Sequence, residues 1–156
     1  MRAWRLTEGF GPENLELVEQ ATPAPGPGEL LLAMRAASLN FRDLVVIDGQ
    51  HGPAITTPLV PVSDGVGVVA SVGDGVDQAL VGRRVCPLFW QDWAGGIPPA
   101  DLHLSSRGGP LPGTLATHMV AKAEGVIAVP DYLSDEGAAS LPCAGLTAWS
   151  ALADLG

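Results

Sequence analysis

The sequence predicts a mainly β domain, a barrel or a sandwich built from short strands. Hydrophobic residues make up 47% of the 156 positions and the mean hydropathy is +0.27, so the chain can bury a core and is not disordered. It also contains 20 glycines and 14 prolines, which interrupt helices and mark the turns between strands. A chain of this length suits one domain better than two.

Seven short segments have the apolar and β-branched content that is typical of strands. They span residues 1–6, 15–19, 30–37, 60–72, 81–88, 114–120 and 126–129. The proline-rich segment 21–29 is predicted to be a turn or linker, because proline cannot donate to a sheet. Residues 89–113 form a loop that is long for a compact domain, and loops of that length are usually functional.

Helices are predicted at three places. Residues 40–46 form one or two helical turns that end at Asp48-Gly49. A second helix begins at Ser134, where a hydroxyl caps a first turn rich in acids. Leu141-Pro142 breaks that helix, and residues 144–155 form a third helix that ends at Gly156.

Charge and cysteine content exclude several functions. The net charge is −9 with only eight Lys and Arg, so we expect no binding to nucleic acid. Cys86 and Cys143 lie too far apart in sequence for a CxxC motif and form no disulfide framework. No apolar run is long enough to span a membrane, and the N-terminus lacks a signal sequence. We therefore expect a cytoplasmic protein without a membrane partner.

A glycine motif at residues 65–70 has the form G-x-G-x-x-A, which is also found in dinucleotide-binding loops. That fingerprint requires a helix directly after the glycines, to hold the pyrophosphate at its N-terminus. Here the segment continues as V-V-A-S-V, which predicts a strand. We therefore interpret Gly65 and Gly67 as points where two backbones approach closely.

Asn40 and Asp43 have the spacing of a capping box, which would satisfy two backbone N–H groups at a helix start. A functional interpretation is also open: Asn40 could offer its amide to a reacting carbonyl while Asp43 fixes the loop. Both can hold together. The three histidines show no spacing that suits a metal site, and Cys143, flanked by apolar residues, is interpreted as an unreactive thiol.

Six segments in order resemble the medium-chain dehydrogenases/reductases. They are A-A-S-L-N-F-R-D (36–43), P-L-V-P-V-S-D-G-V-G-V-V (58–69), V-G-D-G-V (72–76), V-G-R-R-V (81–85), G-T-L-A-T-H-M-V (113–120) and L-P-C-A-G-L-T-A-W-S-A-L (141–152). The resemblance implies a GroES-like β-barrel over residues 1–125, followed over 126–156 by a connecting strand and helices. These would lead to a Rossmann domain that this chain does not contain.

The same resemblance predicts that zinc is absent. Zinc-dependent members place a Cys in the first motif, a His-Glu pair in the second and often a Cys in the last; this sequence has Asn40, Ser63-Asp64 and Cys143 there. Residues 89–113 also lack the cysteines of the family's structural zinc lobe. The chain is thus similar to the zinc-independent quinone oxidoreductases, which implies NADP or NAD as the cofactor and a quinone or other small carbonyl compound as the substrate.

Site residues are carried over from the resemblance position by position. Asn40 and Asp43 are the candidate catalytic residues, and Asn40 with Thr147 would contact the nicotinamide. Phe89 and Trp90 would line the substrate cleft, whereas Arg42 is assigned no role. The full-length protein is expected to be a homodimer. Three alternatives remain: a zinc-free reductase of another carbonyl, a non-enzymatic GroES-like binding module, and an inactive fragment.

Overall fold

A computed structural model describes residues 1–93 and 95–153 and confirms a mainly β architecture with few short helices. Within these ranges the strands are β1 (Arg2–Leu6), β2 (Leu15–Glu19), β3 (Glu29–Ser38), β4 (Asp64–Val72), β5 (Arg84–Pro87), β6 (His118–Lys122) and β7 (Val126–Ala128). The α-helices are α1 (Phe41–Ile47), α2 (Asp135–Ala139) and α3 (Leu146–Ala153). No helix in this part of the chain is both long and apolar enough to cross a bilayer.

The strands form two antiparallel sheets. β1 and β2 make a hairpin, and the other five strands pair in the order β6-β3-β4-β5-β7. Isolated bridges from Ala3 to Ala116 and from Leu6 to Leu59 join the hairpin to the rest of the domain. The main core lies on one face of the large sheet and is built from Leu30, Leu32, Val69, Val85, Met119 and Ala121.

Two glycines in β4 explain how β3 and β4 pack so closely. A Cβ atom at Gly65 would lie 2.9 Å from the carbonyl oxygen of Ala36, and one at Gly67 would lie 3.0 Å from that of Ala33. The first distance is shorter than those that real Cβ atoms show, and the second is tighter than nearly all of them. The residues after Gly67 continue the strand to Val72, so the prediction that this motif is not a dinucleotide-binding loop is confirmed.

Three predicted strands begin three or four residues later than the sequence indicated. Residues 60–63 are buried but irregular, because Pro61 lacks an N–H and Val62 adopts a positive φ of 74°. The segment 81–83 turns at Gly82, whose φ is 83°. Residues 114–117 precede β6, because Thr114 bonds instead to the irregular segment, its N–H donating to the carbonyl of Val62 at 2.8 Å.

The C-terminal segment differs from the prediction at one point. The Ser134 hydroxyl accepts from the N–H of Gly137 at 3.1 Å and caps α2 as predicted. The expected break at Leu141-Pro142 is instead a π-helical turn, Leu141–Gly145, that leads into α3. Proline fits there because it occupies the first turn, where its missing N–H has no helical partner. The predicted end at Gly156 lies outside the described residues.

Candidate active site

The start of α1 places Asn40 and Asp43 together in the predicted capping box. Its well-formed half is the hydrogen bond from the N–H of Asn40 to Oδ2 of Asp43, at 2.7 Å. The other half would join the N–H of Asp43 to the side chain of Asn40. It is dispensable, because this N–H also donates to the backbone carbonyl of Asn40 at 3.0 Å. The capping role therefore rests on Asp43 more than on the Asn40 side chain.

Asp43 also connects α1 to the entrance of β4. Its Oδ1 accepts from the N–H of Ser63 at 3.3 Å, and the residue is only 2% exposed. Burial raises the pKa of Asp43, while the two backbone donors partly offset that rise. The carboxylate thus fixes the helix start on the barrel.

Asp64, the first residue of β4, ties the barrel to the C-terminal turn. Its Oδ2 accepts from the N–H of Cys143 at 2.9 Å, and its Oδ1 accepts from the hydroxyl of Ser63 at 3.1 Å. Burial raises the pKa of Asp64, while the nearby Asn40 amide and these donors favour the charged form. Asp64 therefore lies between the segment that carries Asn40 and the turn that precedes Thr147.

The Asn40 amide nitrogen is buried and has no hydrogen-bond partner. Although Nδ2 is close enough to Asp64 to affect its pKa, it lies outside hydrogen-bonding geometry. Thr147 is exposed on the first turn of α3, where its hydroxyl lies beside the thiol of Cys143. The backbone of Asn40 is connected through Asp43, Ser63 and Asp64 to the N–H of Cys143, in the turn that precedes Thr147.

Phe89 and Trp90 form a T-shaped aromatic pair with ring centroids 4.5 Å apart. The guanidinium of Arg42 lies 4.9 Å from the centroid of the Phe89 ring. Arg42 lies within the first turn of α1, so this contact brings the predicted cleft residues to the helix that Asn40 caps. The structure therefore places all five predicted site residues in one continuous network.

The surface around this network is open and apolar. Phe41, next to Asn40, is 81% exposed, and Trp149 on α3 is 70% exposed. Leu39, Leu146 and Leu152 are also exposed. Large apolar side chains left in water on one helix are typical of a surface that another domain or molecule covers.

Arg42 and Asp64 are functional candidates that the sequence interpretation did not identify. Arg42 was given no role, and Asp64 was considered only as a position lacking a zinc ligand. The available signal was a carboxylate within the apolar run that begins β4, because a buried charge needs partners. No comparable signal marks Arg42, because its partners lie more than 45 residues away.

Within the described ranges, no group of three His, Cys, Asp or Glu side chains is close enough to hold a metal. Ser63 directs its hydroxyl to Asp64, and burial raises the pKa of Cys143, which opposes the thiolate that a metal requires.

Comparison with known proteins defines the class. Residues 26–131 match the alcohol dehydrogenase GroES-like domain, which agrees with the mainly β fold described above. The chain is 36% identical over 141 residues to a zinc-type alcohol dehydrogenase-like protein of Schizosaccharomyces pombe, covering 90% of this chain and 40% of that protein. It is 35% identical to a trans-enoyl reductase of Aspergillus flavipes, covering 97% and 40%. The chain belongs to the medium-chain dehydrogenase/reductase superfamily.

Solved structures agree with this assignment. A protein from Sinorhizobium meliloti 1021 described as an alcohol dehydrogenase superimposes with a TM-score of 0.90 at 36% identity, covering 99% of this chain and 46% of that one. A mycobacterial protein complexed with NADPH superimposes with a TM-score of 0.74 at 34% identity, covering 97% of this chain and 40% of that one. A cobalt- and zinc-bound alcohol dehydrogenase from Pyrobaculum aerophilum superimposes with a TM-score of 0.83 at 31% identity, covering 99% of this chain and 48% of that one. The chain spans less than half the length of each of these proteins.

Proposed function

We propose that this chain is the catalytic domain of an NAD(P)H-dependent oxidoreductase that reduces quinones or conjugated ketones by hydride transfer, without zinc. The observation that carries the proposal is the amide nitrogen of Asn40, which is buried and makes no hydrogen bond. Leaving a buried donor unpaired costs about 1–3 kcal/mol. A carbonyl oxygen bound beside Asn40 would accept that hydrogen bond and remove the penalty.

Asn40 is the group that would stabilise the reacting oxygen. The capping bond made by Asp43 holds the Asn40 backbone, which leaves the side-chain amide free to donate. A donor fixed in advance, aimed where negative charge develops, stabilises the transition state without reorganising. Asp43 thus acts as a positioning residue, and Asn40 is the candidate catalytic residue.

Thr147 is the second residue that would meet the nicotinamide end of the cofactor. It is exposed on α3, just after the turn that Asp64 holds through the N–H of Cys143, so both side chains can border one ligand. When bound, the dihydronicotinamide supplies the hydride, and the protein supplies orientation and the electrostatic environment. The complex of a mycobacterial relative with NADPH supports a nicotinamide cofactor.

The donor set supports chemistry without a metal. A catalytic zinc needs three protein ligands and an open position. Asn40 offers an amide donor rather than a metal ligand. Ser63 and Cys143 are poor zinc ligands, because the Ser63 hydroxyl donates to Asp64 and burial raises the pKa of the Cys143 thiol. Reduction of a conjugated ketone or quinone can proceed without zinc, because the negative charge of the product is delocalised over an enolate. It therefore needs less Lewis-acid assistance than the oxidation of an alcohol does.

The remaining cofactor contacts are assigned to a nucleotide-binding domain outside this chain. The exposed apolar side of α3, with Leu146, Trp149 and Leu152, suits such a neighbour. Without it, the 156-residue chain should neither bind NADPH measurably nor reduce any acceptor. Loss of about 4 kcal/mol of contacts already weakens a micromolar site to millimolar.

The test uses the complete protein encoded by the gene, after dialysis against a chelator. We expect it to oxidise NADH or NADPH with quinones or conjugated ketones and to retain full activity with no stoichiometric zinc by elemental analysis. One zinc per chain that survives dialysis would contradict the metal-free proposal. Activity only with simple alcohols and NAD(P)⁺ would contradict the assigned substrate class.

A further inference from the structure

Arg42 makes an unusual set of contacts for a half-buried arginine. Its Nη2 donates to the carbonyl of Gly109 at 2.6 Å and its Nη1 to the carbonyl of Arg107 at 3.1 Å. A third, longer bond joins Nη2 to the hydroxyl of Ser106 at 3.3 Å. The guanidinium also lies over the ring of Phe89. Arg42 thus binds one short segment, residues 106–109, and one aromatic ring.

That segment also supports the aromatic pair. The N–H of Arg107 donates to the carbonyl of Phe89 at 3.0 Å, and the N–H of Gln91 donates to the carbonyl of Ser105 at 3.1 Å. Trp90 and Ser106 form a β-bridge between these two bonds. The position of the aromatic pair is therefore determined by the segment that Arg42 holds.

The charge on Arg42 is compensated only in part, which argues against a role in stability alone. Burial lowers the pKa of Arg42, and the nearby charges of Asp43 and Asp64 offset only part of that effect. Among the described residues, its side-chain hydrogen bonds go to neutral oxygens rather than to a carboxylate. An apolar residue would fill this place without the desolvation penalty. A planar guanidinium instead fixes direction, because its fork donates to several acceptors while its face stacks on an aromatic ring.

We infer that Arg42 is a positioning residue that sets the gap between Asn40 and the Phe89–Trp90 pair, and thereby selects which acceptors reach the Asn40 amide. The inference rests on the proposed reductase function. Arg42 stands two positions after Asn40, on the turn that Asp43 fixes to the barrel, so a shift of the aromatic pair relative to Arg42 is a shift relative to Asn40. Planar, extended acceptors would be the substrates that match a wall made of two aromatic rings.

The first test measures the structural tie in the 156-residue chain. Arg42→Met keeps the length of the side chain but removes its donors, and Arg42→Lys keeps the charge without the fork. We expect amide hydrogen exchange at Gln91 and Arg107 to accelerate in Arg42→Met and less in Arg42→Lys, because both amides bond across the segment that Arg42 holds. Arg83→Lys, on an exposed arginine, is the control. Unchanged exchange at both amides in Arg42→Met would overturn the inference.

The second test measures specificity in the complete protein. Arg42→Met should raise KM for a two-ring quinone by about tenfold or more, as the loss of a well-placed contact does, and leave kcat and the KM for NADPH nearly unchanged. Phe89→Leu should have a similar effect, and the double variant should be no worse than either single one, since both remove the same tie. A role in stability alone would lower the melting temperature and leave KM unchanged, which would refute the inference.

The two proposals fail in different ways. If the wild-type protein reduces no quinone or conjugated ketone, the proposed function fails and the specificity role of Arg42 fails with it, whatever the exchange data show. If the wild type is active and Arg42→Met has the same KM for the two-ring quinone and for a one-ring quinone as the wild type, only the role of Arg42 is wrong.

Discussion

Asp43→Ala and Asn40→Ala should separate the two functions of the capping box at the start of α1. Removing the Asp43 carboxylate leaves two buried N–H groups, those of Asn40 and Ser63, without their acceptor. Hydrogen bonds to a charged group contribute about 1.5–3 kcal/mol each. The bond from the N–H of Ser63, at 3.3 Å, is the weaker of the two. Removing the carboxylate also removes the free-energy cost of burying its charge, which offsets part of the lost stability. The net destabilisation is therefore about 3 kcal/mol.

Asn40→Ala should be much milder. The amide nitrogen of Asn40 has no partner to lose, and the N–H of Asp43 keeps its bond to the Asn40 carbonyl. We expect a loss below about 1 kcal/mol, at the low end for a residue at a helix N-cap. For a chain of this size, 1 kcal/mol shifts Tm by about 2–4 °C, so Asp43→Ala should lower it by about 6–12 °C and Asn40→Ala by less than about 4 °C.

Thermal unfolding followed by tryptophan fluorescence measures both variants in the 156-residue chain. Asp48→Ala, at the exposed end of the same helix, is the control and should unfold like the wild type. Equal losses of Tm for Asp43→Ala and Asn40→Ala would refute the reasoning, because the Asn40 side chain would then carry the cap and would not be free for a substrate.

Three further experiments probe the buried interior of the barrel. Burial raises the pKa of Asp64 above its ordinary value of 3.8, so the native state binds this proton more tightly than the unfolded chain does. The wild type should therefore gain stability relative to Asp64→Asn as the pH falls through the raised value toward 3.8; a wild type that loses stability in urea relative to Asp64→Asn toward acid contradicts this. Burial also raises the pKa of Cys86 to about 11, so iodoacetamide should modify the half-buried Cys143 first. Equal labelling of the two cysteines, measured by mass spectrometry, would contradict this prediction. Gly65→Ala should lower stability by about 1–3 kcal/mol, because its Cβ would meet a backbone oxygen of β3, whereas Gly9→Ala should be nearly neutral.

Local patterns in the sequence predicted most of the fold. The capping residues Asp43 and Ser134 act within three positions of themselves, so spacing alone located two helix starts. Strand positions followed from apolar and β-branched content. The strand predicted over 60–72 was too long, because its first four residues bond irregularly to a segment some 50 positions away.

The candidate site was predicted less completely, and the reason is again distance along the chain. The resemblance supplied Asn40 and Thr147, but it could not show that Asp64 connects the two segments that carry them. Arg42 was missed because its partners are backbone carbonyls, which leave no trace in a residue pattern. Contacts between side chains and distant backbone are thus what the structure adds.

The turnover rate of Asn40→Ala in the complete protein tests the central claim most directly. A donor aimed at the reacting oxygen acts mainly in the transition state, so kcat for a conjugated ketone should fall about 10²–10³-fold while the KM for NADPH changes little. Thr147→Val, at the other end of the network, should alter both parameters together, because it changes cofactor placement. If Asn40→Ala keeps the wild-type kcat and only lowers Tm, Asn40 is a helix cap and the catalytic role assigned to it is wrong.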